Sequence, residues 1–192
     1  MVVPPAAVHL HAVHLAEVHV VVVGVVAVEI KGMVIETMTI LLDIDGVLVT
    51  TPSWKVPELN HDGFLEFNSR AESNLIKLIS ETNASIVLTT THRITYSIEK
   101  WKGIFNNRGI AVASIEKVNS RKTIYEMLER GVEINEWVEK AGKDKNYVII
   151  DDDQSIHALP QEIKERWVMT KPMIGLDEEG TNRAIEILKR GL

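Results

Sequence analysis

Three observations predict an α/β fold built on a mostly parallel sheet. The short apolar run Ile40–Leu42 ends abruptly in Asp43-Ile44-Asp45-Gly46. A second run, Asn146–Ile150, ends in Asp151-Asp152-Asp153. Around them, stretches with helical spacing alternate with further short apolar runs, as in strands joined by crossover helices. Short apolar runs bounded by polar turns read as buried strands. Open α/β sheets place their chemistry at the carboxyl ends of such strands, where both acid clusters stand.

The bulk numbers suit one folded domain. The chain has 192 residues, 45% of them hydrophobic and 25% charged, enough for a proper core. It contains no Cys, which excludes disulfides, a thiolate nucleophile and Cys-ligated zinc. That usage fits a reducing, cytoplasmic setting. The formal net charge of −6 argues against a general nucleic-acid binder, while leaving room for a local basic rim.

Residues 1–37 read as a low-complexity Val/His-rich extension, distinct from residues 38–192. Within Met1–Gly32 the charged residues are Glu17, Glu29 and Lys31. The stretch lacks the basic start of a secretory signal, and Val18–Val28 is too short to span a bilayer. His9, His11, His14 and His19 hint at metal, but biased sequence supplies no folded frame to fix a ligand geometry. Met33 and Met38 stand just before the organising strand. The functional domain is expected to begin there, with the extension dispensable. Val20–Val28 is β-prone and uncharged, an aggregation hazard if exposed.

After Gly46, which allows a sharp turn, Thr50–Arg70 carries loop residues with a short hairpin at Phe64, Leu65 and Phe67. Ser69-Arg70-Ala71-Glu72 reads as a capping box with Ser69 as N-cap. Ala71, Leu75, Leu78 and Ile79 share the next helical face, which ends near Asn83. Ala84–Leu88 is a strand running into Thr89-Thr90-Thr91-His92-Arg93. Hydroxyls and exposed N–H groups at such a strand end suit an anion, although a Thr-rich end can also be a simple cap. Ile94–Trp101 reads as a helix broken by Gly103, and Ile110–Ile115 as a strand. Ser120–Arg130 reads as a helix with Ile124, Met127 and Leu128 inward, stopped by Gly131. Ile134–Ala141 is another, with Ile134, Trp137 and Val138 on one face. Arg166–Thr170 is the last strand, and Asp177 caps the final helix, which buries Ala184, Ile185 and Leu188.

Taken alone, Asp-x-Asp-Gly could equally end a strand in a solvated acidic turn. A second acidic cluster after a second buried strand describes a hard, oxygen-lined cation site. The Asp43–Leu48 stretch resembles the first motif of the haloacid dehalogenase (HAD) superfamily, most of whose members are magnesium-dependent phosphatases. Thr89–Arg93, Arg130–Trp137, Val148–Asp152 and Gly175-Leu176 extend the likeness over Met38–Leu192. They are similar to a capless subgroup, the HAD domain of Swiss Army Knife RNA repair proteins. His92 departs from that pattern, where Trp is usual.

The resemblance implies a HAD-like Rossmannoid fold: three layers, α/β/α, a mostly parallel central sheet and no large cap domain. It implies Asp43 as nucleophile and Asp45 as general acid and base. It implies Mg2+ held by the Asp43 carboxylate, the Asp45 backbone carbonyl and Asp152, with Asp151 in support. Phosphoryl oxygens would be held by Thr90, with Thr89 as the one-residue register alternative, by the Thr91 amide, and by one cation. That cation is Arg130, which matches the family's Arg before the Trp-bearing helix, with Lys122 as the alternative. The expected partner is a phosphorylated substrate, either a small molecule or a macromolecular end, with no membrane involved. A nucleic-acid end in repair is one alternative, and a HAD fold kept as a binding or scaffold module is another. A response-regulator receiver fits poorly, because Ile44 interrupts the first acid pair.

Overall fold

The computed structural model describes residues 19–23, 25–29, 38–52, 54–143 and 145–190. Backbone packing separates Met1–Ile35 from Glu36–Leu192. In the first unit, β1 (His19–Val23) pairs antiparallel with β2 (Val25–Glu29). The β-prone run Val20–Val28 lies within this hairpin. His9, His11 and His14 lie outside the described residues, as does most of the expected boundary near residue 37.

The second unit is a five-stranded sheet in the order β5-β4-β3-β6-β7, parallel throughout. Its strands are β3 (Met38–Leu42), β4 (Ser85–Leu88), β5 (Ile115–Lys117), β6 (Asn146–Asp151) and β7 (Trp167–Met169). The central strands are covered on both faces, which is why they read as unbroken apolar runs. Successive side chains alternate between two cores. Ile40, Leu42, Ile86, Leu88, Val148 and Ile150 face α1 (Ser69–Thr82), α2 (Ile98–Asn106) and α5 (Glu178–Lys189). Leu41, Val87 and Ile149 face the other way, onto Ile134 and Trp137 of α3 (Arg130–Trp137) and Ile163 of α4 (Gln161–Lys164). The result is the three-layer α/β/α arrangement, and β3 and α1 are joined by a loop rather than a large cap.

Local chemistry shifts several boundaries. The N-cap of α1 is Asn68, not Ser69: its side chain accepts from the Arg70 and Ala71 N–H groups. Both residue types cap well, and the cap stands one residue before the expected Ser69. The expected helix at Ile94–Trp101 begins instead at Ile98, after Ser97 accepts from the Lys100 N–H. Gly103 lies inside it, at a position open to space. The strand expected at Ile110–Ile115 is Ile115–Lys117. The helix expected at Ser120–Arg130 is absent. A single 3-10 turn, Ile124–Glu126, stands there, with Ile124, Tyr125 and Leu128 exposed. Gly131 is the second residue of α3 rather than the stop of a helix.

The loop before α1 is pinned by a buried ion pair. Arg108 follows α2 and places Nη1 2.5 Å from Asp62 Oδ2. Its Nη2 donates to the Leu65 carbonyl at 3.0 Å, and its guanidinium lies 4.4 Å over the Phe67 ring. Burial pushes the Asp62 pKa up, but Arg108 and the Phe64 N–H outweigh it and hold the carboxyl at about 2. A depressed carboxyl stabilises the fold above its unfolded value of 3.8 and loses that contribution as pH falls towards about 2. Asp62→Asn is therefore expected to cost about 1.5–3 kcal/mol at neutral pH. Urea unfolding of both proteins should show that gap shrinking across this acid window.

Candidate active site

Sheet register assembles the site. Leu42 pairs with Leu88 on one side and Ile150 on the other. The next residues, Asp43, Thr89 and Asp151, therefore stand side by side at the sheet's carboxyl edge. The ladder continues into them, as the Thr89 N–H donates to the Leu42 carbonyl and the Asp43 N–H to that of Ile150. By strand alternation they share the face of Leu41, Val87 and Ile149, the α3 side. Arg130 opens α3 and meets all three. Its Nη1 lies 3.3 Å from Asp43 Oδ1, donates to Thr89 Oγ1 at 3.2 Å, and makes a short hydrogen bond to Asp151 Oδ2. Thr89 Oγ1 also donates to Asp151 Oδ2 at 3.2 Å, and the Asp153 N–H donates to Oδ1 at 3.0 Å.

These groups are buried, and their electrostatics follow from that. Desolvation raises the Asp43 pKa, and Arg130 only partly opposes it. Asp151 is pushed up to about 7 by burial and by the Asp43 charge. Burial works against the Arg130 charge too, but Asp43 and Asp151 more than offset it and raise its pKa. Asp152 is half-buried, and burial and Asp43 raise it as well. One carboxylate oxygen each from Asp43, Asp151 and Asp152 lies within 4.8 Å of the others. Three carboxylates share one guanidinium, so the cluster is short of positive charge. An all-oxygen donor set of this kind fits a hard divalent cation. Gly46 makes room for the Asp152 carboxylate. A Cβ there would stand 2.3 Å from Asp152 Oδ2, and the residue's φ is +70°, where a side chain is also strained.

Asp45 points elsewhere. Its side chain is 53% exposed and lies outside the carboxylate cluster. Oδ2 sits 3.0 Å from His92 Nε2, an ion pair when the ring is protonated and the carboxyl ionised. Asp45 is the largest cause of a raised His92 pKa, with burial opposing it. The His92 ring packs edge-on to Phe64, 5.2 Å between centroids.

The hydroxyl cluster divides. Thr89 is a partner of Arg130 and Asp151, as above. Thr90 is fully buried and caps a 3-10 turn, with its Oγ1 accepting from the His92 N–H at 3.3 Å. Thr91 begins that turn and is exposed. Lys122 is exposed on the loop before α3, where its backbone N–H donates to Glu126. The structure thus brings Arg130, and not Lys122, to the carboxylates.

Sequence reasoning missed the frame behind the Thr residues. Arg93 is fully buried; Nη1 donates to the Thr89 and Thr90 carbonyls at 2.7 and 2.8 Å. Its Nη2 lies 2.6 Å from Glu133 of α3, one turn after Arg130. Burial lowers the Arg93 pKa and Glu133 supports its charge. One buried pair therefore ties the Thr89–Thr90 loop to the helix that carries Arg130. A basic residue three and four positions after two loop carbonyls was the available signal. Arg93→Ala would leave Glu133 buried against Arg121 at 3.6 Å, a poorer partner. The expected cost is about 3 kcal/mol, measurable by chemical unfolding.

No helix among the described residues is long and apolar enough to cross a membrane. A search of curated proteins found no match. Residues 39–180 match the family described as "HAD domain in Swiss Army Knife RNA repair proteins". With the parallel sheet, the acids at its carboxyl edge and a match over most of its length, the chain belongs to this HAD family.

Proposed function

We propose that this protein is a magnesium-dependent phosphatase that hydrolyses a phosphomonoester through an aspartyl-phosphate on Asp43. HAD domains are usually hydrolases and typically use a divalent metal. The observation that carries the reading is the divergence of two carboxylates from one strand end. Asp43 turns into the buried cluster with Arg130, while Asp45 turns outward to His92. Two acids in such different surroundings suit two different roles.

Asp43 attacks phosphorus as the bond to the leaving oxygen breaks. Asp45 gives that oxygen a proton, then takes one from the water that attacks the intermediate, releasing inorganic phosphate and free Asp43. Thr90 accepts from the His92 N–H, so its own O–H proton is available to a phosphoryl oxygen. The Thr91 amide joins it. Arg130 meets the cluster through Nη1, and its other N–H groups are assigned to the phosphoryl oxygens. A bound Mg2+, held by Asp43, Asp152 and the Asp45 backbone carbonyl with Asp151 in support, would relieve the repulsion between carboxylate and phosphate dianion.

Hydrolysis of a generic aryl phosphate should therefore require added magnesium and stop in excess chelator. Full activity in chelator, with metal carry-over excluded, would contradict the cation's role. A second reading, a nucleic-acid end phosphatase, is favoured by the family's description and by a site without a large cap. Phosphorylated oligonucleotides beside sugar phosphates, phosphopeptides and nucleotides would test it.

A further inference from the structure

Beside Asp45 lies a cavity of about 370 Å³ that the mechanism leaves unused. Its lining includes Asp45, Gly46, Trp54, Leu65, Pro172 and Met173. We propose that this slot holds the leaving group of the substrate, and that this group carries an uncharged, planar aromatic ring. The inference rests on Asp45 being the proton donor, as proposed above.

Position comes first. Whatever is attached to the leaving oxygen must lie near Asp45, which delivers its proton, and Asp45 lines this cavity. Polarity comes second. Among the described residues that line it, Asp45 is the one charged residue and Thr51 the one hydroxyl. A sugar or a second phosphate would lose its water there with few partners to replace it, which is costly. An aromatic ring loses little and stacks on flat faces. Trp54 is 80% exposed and Met173 54%, apolar surface left open at the rim of the site.

Two of the lining segments are fastened before any ligand arrives. Thr170 Oγ1 donates to the Gly46 carbonyl at 2.9 Å, and the Leu176 N–H to that of Val47 at 2.9 Å. Gly175 permits that approach, since a Cβ would stand 2.4 Å from the Val47 carbonyl oxygen. The loop with Pro172 and Met173 is thus strapped to the turn after Asp45. In the other segment, the Lys55 N–H donates to the Pro52 carbonyl at 2.9 Å, and Leu59 bridges Leu65. A slot held open in this way binds a rigid ring at little ordering cost.

The test compares adenosine 5′-monophosphate with ribose 5-phosphate, which share the alkoxide leaving group and differ in the ring. The wild type should favour the nucleotide in kcat/KM, and Trp54→Ala should lower that preference about tenfold. Met173→Glu, which adds a charge to the wall, should lower it too. Both side chains are exposed, so the variants should fold. Adenosine, which has no phosphate, should also bind the full chain in a Trp54-dependent way, followed by NMR. This readout survives a failure of the phosphatase reading. A 5′-phosphorylated oligonucleotide, run in parallel, tells whether the ring belongs to a small molecule or a chain end; Trp54 dependence with either supports the slot. Equal turnover of the two phosphates, unchanged preference in both variants and no adenosine binding would overturn the proposal while leaving the phosphatase intact.

Discussion

Replacing Asp43 with asparagine is expected to abolish turnover while the protein stays folded. An amide cannot supply the carboxylate that attacks phosphorus, so the loss should be on the order of 10⁴-fold or more. The fold should tolerate the change. Asp43 is buried beside Asp151 and Asp152, and burial already disfavours its charge. Removing one of three crowded carboxylates leaves Arg130 paired with Asp151 and hydrogen-bonded to Thr89. Thermal unfolding of Asp43→Asn should therefore match or slightly exceed the wild type in apparent stability. An active Asp43→Asn enzyme would move the nucleophile elsewhere.

Asp45→Asn is expected to do something different. The cation should still bind, because the proposed ligand from this residue is its backbone carbonyl. Proton transfer to the leaving oxygen should be lost, a contribution of about 10²–10⁴-fold. The loss should be large for alkyl phosphates and smaller for aryl phosphates, whose leaving oxygen scarcely needs the proton. His92 offers an independent readout. Its pKa is raised chiefly by Asp45, so it should fall in Asp45→Asn, as followed by NMR titration. If aryl and alkyl substrates lose first-step rate equally while magnesium affinity drops sharply, Asp45 is a ligand and not the general acid.

The parts of this molecule that were legible in the sequence are those where one dimension carries the information. A buried parallel strand is a run of apolar residues with a polar stop, so β3, β6 and their acids could be read directly. The final helix carries its Asp177 cap and an apolar face, and both are present. Helices whose stability depends on packing were less legible. Ile124 and Leu128 have helical spacing, but no facing surface buries them, and a short isolated helix is unstable in water. Gly131 looked like a stop; in the fold a Cβ there would meet the Ser155 carbonyl oxygen at 2.8 Å, so glycine lets α3 pack close to that loop. In the candidate site, the acids and threonines were readable because they end strands. The Arg130 partners were not, since they depend on the register of three strands and on which face α3 covers. The Arg93–Glu133 and Asp45–His92 pairs join residues 40 and 47 positions apart, a separation that local pattern cannot bridge.

The most direct test of the central claim is to trap the intermediate. Asp45→Asn, mixed with an aryl phosphate and magnesium and quenched in acid, should carry a phosphoryl group, because its second step lacks the base that activates water. Peptide mapping by mass spectrometry should place that group on Asp43. A phosphoryl group on another residue, or continued turnover with none trapped, would contradict the account.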